Sequence, residues 1–518
     1  MANSVALALL VASSAFKLLL FPAYRSTDFE VHRNWLAITH SLPVREWYVN
    51  DTSQWTLDYP PLFAWFEYVL SLVGKWVDPQ MLIVTNLKYA SDATVAFQRT
   101  SVVVTEGLLL FAVYLFCKRI KPALFPLLLF LIALNPGLLI VDHVHFQYNG
   151  LLLGLFMLSI EALQRDQILV SALLFSVLLN MKHLFAVAAP YYFVYMLRRY
   201  CVGTRAFSRF FVLGSVVAGV CVVSVGPFIY NGTAQNLLSR LFPFGRGLCH
   251  AYWAPNFWAI YSVADKALVK LARSAGLQLE VQGGHLAGGI VGVSKFGILP
   301  QISPSVTLAL VLLSMMPCLV KTWVRPQPCN ILQDIAYVNL CGFMFGYHVH
   351  EKAVLHFMLP MAFGSILSKT CALDYATASW PAYISLMPLL YQPQEQVLKQ
   401  VVVLSYCTII SCLYSSQEDV EETEKGKAER LTRGGHHATR SLKRSLPYIA
   451  VMVGMQLYCN FFHGLLFGSR LGFLPLLLLS VSSALGLFAL FCRRFLAYVA
   501  DISNHHNVKN AYGFTKMS

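Results

Sequence analysis

Apolar residues along this chain fall in long blocks, not at the spacing of an amphipathic surface helix. Val5 to Leu20, Pro122 to Val141, Leu151 to Ile160, Val212 to Phe228, Val306 to Val320 and Leu474 to Phe491 are examples. With their flanks, most reach across roughly 30 Å of hydrocarbon at about 1.5 Å of helix rise per residue. The pattern predicts an all-α polytopic membrane protein. The first block has no basic leading segment and ends at Phe21-Pro22 without a small-residue cleavage pattern. It is expected to remain as a first span, with a cleaved signal peptide as the alternative.

Placing the N-terminus in the cytosol lets the basic clusters fall on the cytosolic side, as the positive-inside rule requires. The expected order is a first transmembrane helix over 1–22, then a lumenal loop with interfacial helices over 23–100. Helices two to seven follow over 101–229, a long lumenal segment over 230–303, and helices eight to twelve over 304–414. A charged cytosolic loop over 415–445, two last spans over 446–494 and a cytosolic tail over 495–518 complete it. The total is about fourteen transmembrane helices, with the weakest spans near 167–197 and 372–391. Two sequons, Asn50-Asp51-Thr52 and Asn231-Gly232-Thr233, fall on the lumenal side of this scheme. No internal repeat marks a transporter built from two halves.

Composition agrees. The 518 residues are 57% hydrophobic and 12% charged, and a soluble domain carries about twice that charge. The net charge of +14 comes from basic residues concentrated between apolar blocks, so it speaks for membrane topology and against nucleic acid. The 12 Cys residues form no C-x-x-C pair and lie mostly inside apolar blocks, where they read as small buried hydrophobes.

The candidate chemistry gathers on the lumenal segments. Thr27-Asp28-Phe29-Glu30 reads as a capping box opening a short helix. That leaves Asp28 either a first-turn carboxylate favoured by the helix dipole or a site residue. In Trp55-Thr56-Leu57-Asp58-Tyr59-Pro60-Pro61 the prolines stiffen a corner. Leu62, Trp65, Phe66 and Val69 then recur at helical spacing, as in an interfacial helix. Asp58 is either the cap of that helix or a carboxylate held at the membrane surface. Seven of the nine Trp residues (35, 47, 55, 65, 76, 253 and 258) lie on this side, where an aromatic belt is the default account.

Two further corners carry histidine: Asp142-His143-Val144-His145-Phe146-Gln147-Tyr148-Asn149-Gly150 and His348-Val349-His350-Glu351-Lys352. A cation at a helix C-terminus, a zinc ligand set and a phosphate-binding pair all fit such a pattern. Arg246, between two glycines, is an interfacial anchor or a phosphate or sugar contact.

Ser26 to Trp35, Leu57 to Pro61, Asp142 to Gly150 and Val349 to Lys352 resemble, in order, the motifs of the dolichyl-phosphate-glucose glucosyltransferases of the endoplasmic reticulum. Arg246 to Trp258 resembles the branch of that family that adds the second glucose. The resemblance implies a fold like the glycosyltransferase C superfamily. It also implies inverting transfer of glucose from dolichyl-phosphate-glucose to a monoglucosylated, dolichyl-pyrophosphate-linked oligosaccharide, without a metal or other cofactor. By the same resemblance Asp58 is the catalytic base. His350, Lys352 and Arg246 are donor-phosphate contacts, and Asp28, Asp142 and His145 are acceptor-binding or supporting residues. Membrane lipid is the expected surround, and no protein partner is implied. A transporter and a non-catalytic assembly partner are the rival classes. A transporter calls for ionisable residues midway through spans.

Overall fold

The computed structural model describes residues 2–242, 247–249, 254–276, 296–428 and 442–512, with the side chains of 2–3, 416–428 and 504–512 outside the described set. Every regular element among the described residues is a helix. The chain divides into two units, residues 1–244 with 322–332 and residues 245–321 with 333–518.

The first unit opens with α1 (Ala2–Leu19), α2 (Thr27–Ser41), α3 (Pro61–Val77), α4 (Asp92–Ile120) and α5 (Phe125–Ala133). It continues through helices Asn149–Gln164, Ile168–Met181, Ala189–Arg199 and Ala206–Tyr230. The second is built from Phe257–Ser274, Leu355–Ser365, Lys369–Ile384, Gln396–Ala428, Leu446–Leu457 and Leu474–Tyr512, with most of Pro304–Val324 and Ile331–Phe345.

Seven helices among the described residues are long and apolar enough to cross a bilayer: Asp92–Ile120, Pro122–Val144, Ala206–Tyr230, Pro304–Val324, Pro393–Ser415, Leu442–Phe467 and Leu474–Ser503. Three shorter apolar helices, Ser4–Leu19, Asn149–Gln164 and Ile168–Met181, accompany them. Helix Ala206–Tyr230 exposes Phe207, Val222, Val223 and Ile229, a surface that lipid tolerates and water does not. The chain is a multi-pass membrane protein.

The weak stretch near 167–197 is a broken helix. Ile168–Met181 ends at Lys182, whose backbone is extended, and a 3₁₀ turn over His183–Ala188 leads into Ala189–Arg199. Midway through α4, Glu106 is buried and lies 2.7 Å from Lys17 Nζ of α1 and 2.8 Å from His143 Nε2. Ionisable groups therefore occur within spans as well as at their ends. Mutual pairing is what makes them tolerable there.

One local expectation changes. The cap of α2 is Ser26, whose Oγ accepts from the Asp28 N–H, while Glu30 turns to Arg33 in a two-pronged pair of 2.7 and 2.8 Å. Thr27 and Glu30 thus form no capping box. In α3 the buried stripe is Phe63, Ala64, Glu67, Ser71 and Gly74, whereas Leu62, Trp65 and Phe66 are half-buried and Val69 is exposed. The apolar stripe read from the sequence is the outward one. The inward stripe carries polar groups that meet α2: Glu67 Oε1 lies 2.7 Å from His32 Nδ1, and Ser71 Oγ lies 3.1 Å from His40 Nδ1.

Candidate active site

Pro60 caps α3 without a side-chain hydrogen bond, and Pro61 occupies its first turn. Asp58 therefore does not cap the helix. The preceding strand of chain is instead pinned from four sides. Asn34 Nδ2 donates to Trp55 O at 3.1 Å and Trp35 Nε1 to Thr56 O at 3.2 Å. Arg240 Nη1 donates to Thr56 Oγ1 at 3.1 Å, and the Tyr48 hydroxyl to Tyr59 O at 2.6 Å. Leu57 is buried and Asp58 half-buried, so the carboxylate sits on a fixed backbone with partial access to the outside.

Two tyrosines register that carboxylate. Burial first, then the Asp58 charge, pushes the Tyr48 hydroxyl well above its ordinary range. At Tyr59 burial is followed by Asp58, Asp28 and Asp142 in turn. Both phenols remain protonated at neutral pH, and three carboxylates from three segments lie within electrostatic reach of one ring. Tyr59 packs edge-on to Phe63 at 4.9 Å and at a tilt to Trp35 at 5.0 Å between centroids, and Lys182 Nζ stands 5.3 Å from its ring centre.

The 142–150 turn supplies the opposite wall. It leaves Pro122–Val144 by a π-helical turn, Leu139–Val144. Asp142 is buried and closes the turn, accepting from Gly150 N–H at 2.6 Å and from Asn149 Nδ2 at 2.8 Å. That is a supporting role. His143 and His145 of the H-V-H sequence part company. His143 pairs with Glu106 as described, whereas His145 Nε2 lies 3.4 Å from Asp28 Oδ2 with its Nδ1 3.0 Å from the Tyr24 hydroxyl. Gln147 Nε2 also donates to Asp28 Oδ2, at 2.7 Å. Between them Phe146 is buried with φ +84, a left-handed conformation that costs a non-glycine residue about 1–3 kcal/mol. Its ring packs against Phe29, His32 and Tyr148. Buried Arg99 ties this turn to the link before α2, donating to Leu20, Ala23, Tyr24, His143 and Val144 carbonyls.

The structure thus brings Asp28, Asp58, Asp142 and His145 into one cluster, joined by Tyr59, Gln147, Asn149 and Lys182. No role was assigned to Lys182 from the sequence. The signal available was a lysine interrupting an apolar stretch.

In the second unit His348 is another non-glycine residue in the left-handed region, at φ +53. Its Nδ1 lies 2.7 Å from Gly247 O and its N–H donates to Leu248 O at 2.9 Å. His350 caps the 3₁₀ turn Glu351–Val354, and its Nδ1 lies 2.8 Å from Oε1 of buried Glu351. Lys352 is half-buried. Arg246 lies outside the described residues.

The profile of the ALG6, ALG8 glycosyltransferase family matches residues 13–494. The chain belongs to that family. Among its relatives is the dolichyl pyrophosphate Glc1Man9GlcNAc2 alpha-1,3-glucosyltransferase of Arabidopsis thaliana, 44% identical over 479 residues, covering 92% of this chain and 94% of the relative. The protein of the same name from Schizosaccharomyces pombe is 41% identical over 507 residues, 95% of this chain and 98% of its own length. A Drosophila melanogaster protein named as the probable enzyme is 43% identical over 508 residues, 95% of this chain and 94% of the relative. Both the Asp58 corner and the His350 corner fall inside the span matched by the family.

Proposed function

We propose that this chain transfers glucose from dolichyl-phosphate-glucose to the monoglucosylated, dolichyl-pyrophosphate-linked oligosaccharide, forming an alpha-1,3 bond at the lumenal face of the endoplasmic reticulum membrane. The names of relatives at 41–44% identity over nearly the whole chain support the reaction. The observation that carries the site is Asp58: a half-buried carboxylate on a pinned corner, with no helix to cap.

The chemistry needs few groups. Dolichyl phosphate is a good leaving group, so no general acid is obligatory. Asp58 takes the proton from the attacking sugar hydroxyl as that oxygen bonds to the glucose anomeric carbon. The bond from that carbon to the phosphate oxygen breaks on the opposite side, which inverts a β-linked donor to an α-linked product. The departing phosphate calls for cations or donors, because charge accumulates there as the bond breaks; His350 is the first candidate for that contact, and Lys352 and Arg246 rank behind it. Asp28 and His145 face the acceptor or steady the corner, and Asp142 holds its turn. No metal or other cofactor enters this reading. The shorter and broken apolar helices complete about fourteen crossings, which leave the 23–100 segment lumenal.

The test is glucose transfer in membranes containing Asp58→Asn at normal protein level. Activity is expected to fall at least about 100-fold, and undiminished transfer overturns the assignment. Preference for the unglucosylated acceptor would make the chain a first-glucose enzyme instead. Sidedness has its own check. Asn50 is half-buried beside exposed Asp51 and Thr52, with the Thr52 N–H donating to its Oδ1, and it is expected to carry a glycosidase-sensitive glycan that Asn50→Gln removes.

A further inference from the structure

The reaction scheme leaves one buried cation of the cluster without a part. Lys182 stands at the break between Ile168–Met181 and the 3₁₀ turn His183–Ala188, and is only 5% exposed. Its Nζ donates to Asn149 Oδ1 at 3.0 Å and lies 5.3 Å from the Tyr59 ring centre. Asn149 passes the contact on, donating to Asp142 Oδ1 at 2.8 Å and to Gln147 Oε1 at 2.9 Å, and Gln147 donates to Asp28. One ammonium therefore touches both walls of the cluster: the Asp58 corner through Tyr59, and the 142–150 turn through Asn149.

A buried ammonium is tolerated only where negative charge compensates it. Here the Asp142 carboxylate is joined to it through Asn149. An extended residue at a helix break is also well placed for the task, since the chain on either side is anchored independently.

We infer that Lys182 is a positioning residue for glucosyl transfer, fixing the Asp58 corner against the 142–150 turn and balancing the carboxylates collected there. This rests on the reading of Asp58 as base. The titratable and charged groups that face Asp58 and its neighbours are Asp28, Asp142, Tyr48, Tyr59, His145, the His32–Glu67 pair and Arg240. Lys182, with His183 beside it, touches both walls. Its removal leaves the carboxylates with less positive charge nearby, so each holds its proton to higher pH.

The experiment compares Lys182→Met and Lys182→Arg in the full chain in membranes, with dolichyl-phosphate-glucose and the monoglucosylated acceptor. K182M is expected to lower kcat about 10–100-fold, with less than about a twofold change in donor KM. The acid limb of its pH–rate profile moves up by about one pH unit. K182R keeps the charge and returns the limb to the parental position. Should K182M accumulate poorly, Lys182→Gln, neutral but still a donor, carries the same expectation for the limb. Equal loss in the Met and Arg variants with an unmoved limb overturns the inference. Asp58→Asn runs alongside: retained transfer there removes the functional reading and this inference with it. An inactive Asp58→Asn with an unmoved limb in the Lys182 variants removes this inference alone.

Discussion

The 142–150 and 348–352 corners carry the same His-Val-His pattern and the same backbone oddity, yet their histidines are used differently. Each corner holds a non-glycine residue in the left-handed region, Phe146 in one and His348 in the other. In the first, His143 is buried against Glu106 from α4, and His145 is held between Tyr24 and Asp28. Their partners come from distant segments, so the imidazoles work as cross-braces. In the second, His350 stays half-exposed, with a side chain 30% accessible, and its carboxylate neighbour is the next residue, Glu351. A locally held, accessible imidazole can still meet a ligand. The lesson is that a histidine's duty follows from where its partner comes from, not from the spacing that announces it.

This contrast can be broken by substitution. The largest effect is expected at the brace. Glu106→Gln leaves Lys17 buried beside a neutral partner and should cost about 3–5 kcal/mol, read as a lower melting temperature and poor accumulation. Next is His350→Ala, expected to lower transfer about 100–1000-fold at unchanged melting temperature. A collapse in stability there would make the second corner a brace as well. His145→Ala, which frees Asp28 from one of its two side-chain partners in the 142–150 turn, should lower transfer about tenfold with a small loss of stability.

The smallest effect calibrates the set from outside both corners. Burial disfavours the Asp78 charge, but hydrogen bonds from Ser91, Thr94, Tyr89 and the Gln80 N–H outweigh it and hold its carboxyl below the usual range. A lowered folded value means stability that is present above the unfolded value and lost as pH falls through the folded one. Asp78→Asn should therefore cost about 1–2 kcal/mol at neutral pH, with the gap to the parent closing below about pH 4.

Much of this was legible in the sequence, because bilayer thickness and proline stereochemistry are local constraints. Blocks of apolar residues announced the spans, and Pro60-Pro61 announced the corner that carries Asp58. What the sequence concealed depended on partners far along the chain. His32 meets Glu67 across 35 residues and His40 meets Ser71 across 31, and no periodicity within one helix reveals such pairs. Lys182 drew no role from its place in the sequence, because its partners in space, Asn149 and Tyr59, lie far along the chain. The capping box failed for a similar reason. Ser26 was one residue nearer the link, and Arg33 competed successfully for Glu30.

α3 turns a stripe of apolar residues outward. Its outward residues, including Val69, Val73 and Trp76, are exposed, and its inward ones include Glu67 and Ser71. In the proposed topology such a helix is built like a keel turned to oil: hydrocarbon grips its outside and polar fittings lock it to the hull. Asp58 stands three residues before its first turn. In the proposed reaction, whose donor and acceptor are both tethered to lipid, the depth at which that keel rides sets the height of the carboxylate. The bilayer then becomes part of the ruler that measures the distance between the proposed base and the sugar.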